Sequence, residues 1–226
     1  MSGSEGIRRT AGTLAILAGT VAVLATAGMG EARAQSCVEP VLKAEQAHEI
    51  PPGLLLAVSI VESATNGDPY PYAMNVRGRA IYAPNPDDGA KRLVDRRGRI
   101  TAPAAVGCLQ LSVQHHRVKF GSVREMLDPQ ANAEYGAAYL KRHFEELGSW
   151  SAAVQRYQGG SPSARRTYQC KVLDVLQQLD PVSAEHIADP RCRAVTPATR
   201  VSERVQREFL DNAIGAVVDD TADVAN

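Results

Sequence analysis

Between Gly53 and Ser63 the chain reads Leu-Leu-Leu-Ala-Val-Ser-Ile-Val-Glu, with almost no polar face. A helix that is apolar all round has no side to show to water, so it belongs in the middle of a domain with other elements wrapped around it. The Pro51-Pro52 pair breaks the chain before this run and suits entry to a helix from Pro52 to Ser63. The rest of the chain supplies partners of the right kind. Val38–His48 places Val41, Leu42, Ala44 and Ala47 on one face. Asp128-Pro129 reads as an N-cap followed by proline at the first helical position, opening a long helix to Leu147 that Gly148 closes. Ser149 caps a short helix reaching Tyr157, and Ser161-Pro162 opens another that buries Tyr168, Val172, Val175, Leu176 and Leu179. The expectation is a mainly α single domain.

One internal stretch departs from this pattern. Residues 66–106 are rich in Gly, Pro, Tyr and Arg. Ala73–Val76 and Arg79–Tyr82 flank Arg77-Gly78 and predict a small β-hairpin, followed by a short helix within Asn85–Arg97 capped by Asn85 or Asp87. We read this stretch as an insertion that lines a cleft.

The beginning of the chain predicts export. Arg8 and Arg9 form a positive n-region, Leu14–Ala27 is apolar, and Ala32-Arg33-Ala34 has the A-x-A form of a cleavage site. The competing reading is an uncleaved anchor, but the apolar stretch is short against the ~20 residues of a membrane span. We therefore expect a signal peptide over 1–34, a domain over 35–180, and a C-terminal extension over 181–226 that is partly helical or disordered. No stable membrane span remains after cleavage on this reading. The 25 Lys+Arg balance 25 Asp+Glu, and no basic stripe with interleaved aromatics suggests nucleic acid. Four cysteines, Cys37, Cys108, Cys170 and Cys192, form no C-x-x-C pair, so a zinc site is not expected. An oxidising compartment favours disulfides. Three connectivities are open. Nearness in sequence points to Cys170–Cys192, leaving Cys37 and Cys108 as a pair or as buried thiols.

Glu62 is the first residue to suggest chemistry. On a 3.6-residue period it shares a stripe with Leu55, Val58 and Ser59. Apolar walls disfavour a charged carboxylate and raise its pKa, as a general acid near neutral pH requires. A solvent-facing Glu at a helix end explains the same residue equally well. His115-His116 have no ligands at matching spacing, and Lys91–Arg99 reads as a solvated face with some attraction for anions.

Two later phrases decide between the readings of Glu62: Gly107-Cys108-Leu109-Gln110 and Arg156-Tyr157-Gln158-Gly159. With Glu62-Ser63 they stand in the order Glu-Ser, Gly-Leu-Met-Gln, Ala-Tyr-Asn-x-Gly, and so the sequence resembles lytic transglycosylases related to the soluble enzyme and to goose-type lysozyme. Ile50–Leu55, Asp128–Asn132 and Leu147–Trp150 resemble the family's connecting text, and the likeness runs from about Cys37 to Leu179. Cys108-Leu109 replace Leu-Met, Gln158 replaces Asn, and Arg156 replaces Ala. The insertion, with Tyr70-Pro71-Tyr72, resembles the branch that serves flagellar and secretion machines.

The resemblance implies a lysozyme-like fold and periplasmic cleavage of the bond between N-acetylmuramic acid and N-acetylglucosamine, with no cofactor. Glu62 would be acid and then base, and Tyr157 would hydrogen-bond and orient it. Ser63 and Gln110 would contact sugar or backbone at the cleft, and Gln158 would join them as a substrate-binding residue. The expected partners are glycan strands of peptidoglycan and, from the likeness of the insertion, such a machine. A hydrolytic muramidase is the nearest alternative. It needs a base for water, and Asp68, Asp87 and Asp88 are the nearby candidates. A non-catalytic wall-binding assembly protein is the other.

Overall fold

The computed structural model describes residues 36–192 and 199–223. The expected signal peptide lies outside the described residues. Helix α1 (Val38–Ala47) is followed by α2 (Leu54–Ser63), and α2 is the central rod. Every side chain from Leu54 to Ile60 is buried. Helices α1 and α8 (Pro162–Leu179) pack directly on it, and α6 (Pro129–Leu147) and α7 (Trp150–Gln158) complete the ring by packing α6 on α1, α7 on α6 and α7 on α8. This is the arrangement that an all-apolar helix demands.

Between α2 and α6 lie the small β elements and short helices. Strands β1 (Ala64–Thr65) and β2 (Asp68–Pro69) form a tight hairpin directly after α2. Strands β3 (Ala73–Val76) and β4 (Arg79–Tyr82) pair in the register Val76↔Arg79, as the sequence predicts. Arg77 (φ 52°) and Gly78 (φ 80°) both adopt positive φ in the turn, the conformation a two-residue hairpin connection needs. The hairpin is not isolated. After α3 (Pro86–Leu93), strands β5 (Ala104–Val106) and β6 (Leu111–Ser112) extend it to a four-stranded antiparallel sheet in the order β4-β3-β5-β6. Helix α3 is capped by Asn85, whose side chain accepts the Asp88 N–H. Two one-turn helices, α4 (Val113–His116) and α5 (Val123–Met126), lead into α6.

The helix boundaries follow their caps. Asp128, Ser149 and Ser161 each accept a backbone N–H three residues on, and Gly148 ends α6 at φ 67°. Cys170–Cys192 form a disulfide, and Cys37–Cys108 form the second. The stretch after Pro181 contributes to the core. It includes α9 (Pro181–Ala184) and α10 (Glu203–Asp223), and Val201, Val205 and Phe209 are buried. No helix among the described residues is long and apolar enough to cross a membrane.

Candidate active site

The two ends of α2 are held differently. At its start, Glu45 of α1 is 4 % exposed. Its carboxylate accepts the N–H groups of Gly53 (2.6 Å), Leu55 (2.8 Å) and Leu56 (3.3 Å). Those are the donors that a helix N-terminus leaves unpaired, so a side chain from another helix caps α2. Burial pushes the Glu45 carboxyl up to about 8 against the pull of these donors. Both oxygens accept N–H groups, so the hydrogen bonds pull toward the charged form while burial pulls the other way.

At the other end stands Glu62, half-buried where α2 runs out. The apolar surroundings expected from the stripe are present. Desolvation lifts its carboxyl to about 7, against a hydrogen bond from Tyr168 and the positive charge of Lys171. Some opening to solvent remains at the surface, yet dense surroundings govern the charge. Tyr168 Oη donates to Glu62 Oε1 at 2.7 Å.

This corrects one expectation. Tyr157 was expected to orient Glu62, but its hydroxyl donates to the Leu109 carbonyl at 2.8 Å. Tyr168, expected only as a packing residue of α8, holds the carboxylate. The apolar positions of α8 put Tyr168 on the face toward α2, and that face pattern is identical for a packing ring and a ring with a working hydroxyl. Tyr157 stays close enough for the Glu62 charge to raise its phenol further above the ordinary range, to which burial already lifts it.

The loop after β5 forms the floor beside Glu62. Ser59 and Ser63 both donate to the Cys108 carbonyl, at 3.1 and 2.9 Å, which docks α2 on this loop. Cys37–Cys108 ties the same point to the start of α1. Gly107 has φ 82°, and a Cβ there would stand 2.2 Å from the Asn132 side chain. Asn132, fully buried on α6, accepts the Leu109 N–H (2.8 Å) and donates to the Val106 (3.0 Å) and Met126 (2.7 Å) carbonyls. It organises the loop and was not singled out from the sequence.

The three expected sugar contacts therefore separate. Ser63 is 3 % exposed and its hydroxyl is spent on the Ser59 and Cys108 carbonyls, which makes it part of the scaffold. Gln110 takes φ 45°, and its Nε2 donates to the Ala73 and Gly107 carbonyls at 3.0 Å each. Its amide is thus turned to backbone. Gln158, the last residue of α7, is exposed, and its side chain makes no hydrogen bond among the described residues.

Two cavities of about 780 and 640 Å³ lie away from this constellation. The first is bounded by Ala64–Gly67 and the C-terminal stretch, the second by α1 and α10, and Glu62 lines neither. Cavity size alone does not mark the chemistry here.

Residues 39–171 match the model of the transglycosylase SLT domain. The chain belongs to this family. Its lysozyme-like fold accords with the helices packed around α2 and the small sheet beside them, and its members are lytic transglycosylases that act on peptidoglycan in the periplasm. The matched span contains Glu62, the Gly107–Gln110 loop, Tyr157 and Tyr168. No curated protein and no solved structure matches the chain significantly.

Proposed function

We propose that the protein is a periplasmic peptidoglycan lytic transglycosylase in which Glu62 performs both proton transfers. In its acid form Glu62 protonates the glycosidic oxygen between N-acetylmuramic acid and N-acetylglucosamine. The C1–O bond breaks and the N-acetylglucosamine side leaves as an alcohol. The carboxylate then takes the proton of the muramoyl 6-hydroxyl, whose oxygen closes on C1. The product is a 1,6-anhydro end, Glu62 is again protonated, and water is not consumed.

The observation that carries this reading is a single carboxyl with a pKa near 7 at the mouth of an apolar helix, held by one tyrosine hydroxyl. A group poised near the working pH can give a proton and take it back. The carboxylates available to a water-activating mechanism are engaged elsewhere. Asp68 is bound by Ser202 and Arg204, Asp87 by Arg124, and Asp88 by Asn85 and Lys91. Tyr168 positions Glu62, Tyr157 steadies the Leu109–Gln110 loop, and exposed Gln158 offers an amide to the sugar. Export is part of the proposal. The leader pattern of residues 1–34 supports it, and two disulfides suit an oxidising compartment. A flagellar or secretion machine as partner rests on the likeness of the insertion alone.

Digestion of purified cell wall, followed by mass measurement of the released muropeptides, tests the chemistry. Anhydro ends, lighter by one water than the hydrolytic product, are expected. Reducing ends would make the protein a muramidase, and an unchanged wall would remove the enzymatic reading altogether.

A further inference from the structure

The C-terminal stretch lies beyond the residues that match the family. It nonetheless reaches both ends of α2. At the exit, Ser202 N–H donates to the Gly67 carbonyl at 3.3 Å. Ser202 Oγ and Arg204 Nη2 both donate to Asp68 Oδ1, at 2.6 and 2.9 Å. The Arg200 carbonyl lies so close over Gly67 that a Cβ there would stand 2.2 Å from it. At the entry, Phe209 covers Gly53, the N-cap of α2, where a Cβ would meet its ring at 3.3 Å.

The stretch between these contacts is anchored along its length. Val201 and Val205 are buried. Gln178 of α8 accepts the Val201 N–H and donates to the Thr199 carbonyl, each at 3.1 Å. At ~1.5 Å per helical residue, Ser202 to Phe209 spans roughly 10 Å beside a rod of roughly 15 Å. The segment therefore touches the chain at both ends of α2, while α10 itself packs on α1.

Its grip on the exit is mechanically near Glu62. Asp68 pairs with Thr65 in the β1–β2 hairpin, and Tyr70 N–H donates to the Ser63 carbonyl at 3.3 Å. A displaced hairpin therefore pulls on the last turn of α2, which carries the carboxyl.

We propose that the Asp68–Ser202–Arg204 junction is a positioning device for Glu62, through which the C-terminal segment sets where the end of α2 stands relative to Tyr168 and the bond to be cut. This rests on the reading of Glu62 as the acid and base. Asp68 and Arg204 are partly exposed, and such pairs add little to stability, so their effect falls on geometry. A misplacement of ~1 Å can cost ~10²-fold in rate.

The test is a charge exchange in the full chain. Asp68→Arg and Arg204→Asp should each lower kcat on cell wall on the order of tenfold, within the range such misplacements cause, with KM little changed. The double exchange should recover most of the loss. The Glu62 carboxyl, followed by NMR titration, should shift its midpoint in each single variant and return in the double. Single variants with wild-type kcat and an unmoved midpoint would overturn the proposal, as would a double variant no better than the singles. If the single exchanges fail to fold, Ser202→Ala and Arg204→Gln break the junction more gently, and full kcat in both refutes the positioning role. Inert wild-type protein would instead sink the enzymatic reading, and the titration would still decide whether the junction sets the place of Glu62.

Discussion

Glu45 and Glu62 stand at opposite ends of one buried helix, and burial raises both. Their hydrogen bonds make them different tools. Glu45 receives three backbone N–H groups and is closed off from solvent. Glu62 receives one tyrosine hydroxyl and keeps an opening. A fully satisfied carboxylate holds a structure together, whereas an under-satisfied one can exchange a proton. What separates anchor from reagent is the number of donors aimed at the group, more than its depth.

The largest effect expected of this contrast is at Glu62. Glu62→Gln should lower wall lysis by at least ~10²–10⁴-fold, since the proposed mechanism rests both proton transfers on this group. The same change should stabilise the fold at higher pH. With the folded pKa raised from 4.5 to about 7, the folded state binds the proton more tightly than the unfolded chain. Wild-type stability therefore falls as pH rises from about 4.5 through about 7, and the amide removes that loss. Calorimetry at pH 5 and pH 8 should show a variant advantage that grows with pH, reaching roughly 1–3 kcal/mol after allowance for the solvent opening. A variant less stable than wild type at pH 8 would mean the carboxylate is well accommodated.

Glu45→Ala should do the reverse. It leaves buried N–H groups of α2 without acceptors and should cost about 2–4 kcal/mol, read as a lower denaturation midpoint. Studied well below its melting temperature, this variant should still cut wall. Normal stability would dissolve the distinction between the two ends.

Tyr168→Phe comes next. It removes a hydrogen bond to a charged group, worth about 1.5–3 kcal/mol, and that bond lowers the Glu62 pKa. The basic limb of the pH–rate profile, near pH 7 in the wild type, should move upward while the maximum rate drops. An unmoved limb would show that the Tyr168 hydroxyl does not act on Glu62.

Tyr157→Phe should be mildest. It frees the Leu109 carbonyl, a loss of about 1 kcal/mol, and should leave the pH limb in place while trimming the rate. A limb shifted as far as in Tyr168→Phe would restore to Tyr157 the role first expected of it.

Much of the architecture was legible from local physics. An apolar helix with no polar face has to be central, caps at Asp128, Ser149 and Ser161 mark helix starts, and Arg77-Gly78 between alternating segments marks a hairpin. Each of these signals is complete within a few residues. Glu62 was legible for the same reason, because a carboxyl on an apolar stripe is a local contradiction. What tertiary structure alone decided is everything that depends on two distant segments meeting. Strands β5 and β6 are two or three residues long and gain meaning only beside β3. Ser63 and Gln110 carry polar groups suited to sugar, but the backbone of a remote loop claims them first. Tyr157 and Tyr168 are both aromatic residues on packed helices, and which hydroxyl reaches Glu62 depends on how α8 packs on α2 and α7 on α8. Glu45, Asn132 and the C-terminal segment reach partners as far as 11, 26 and 136 residues away, and spacing along the chain carries no information about such contacts.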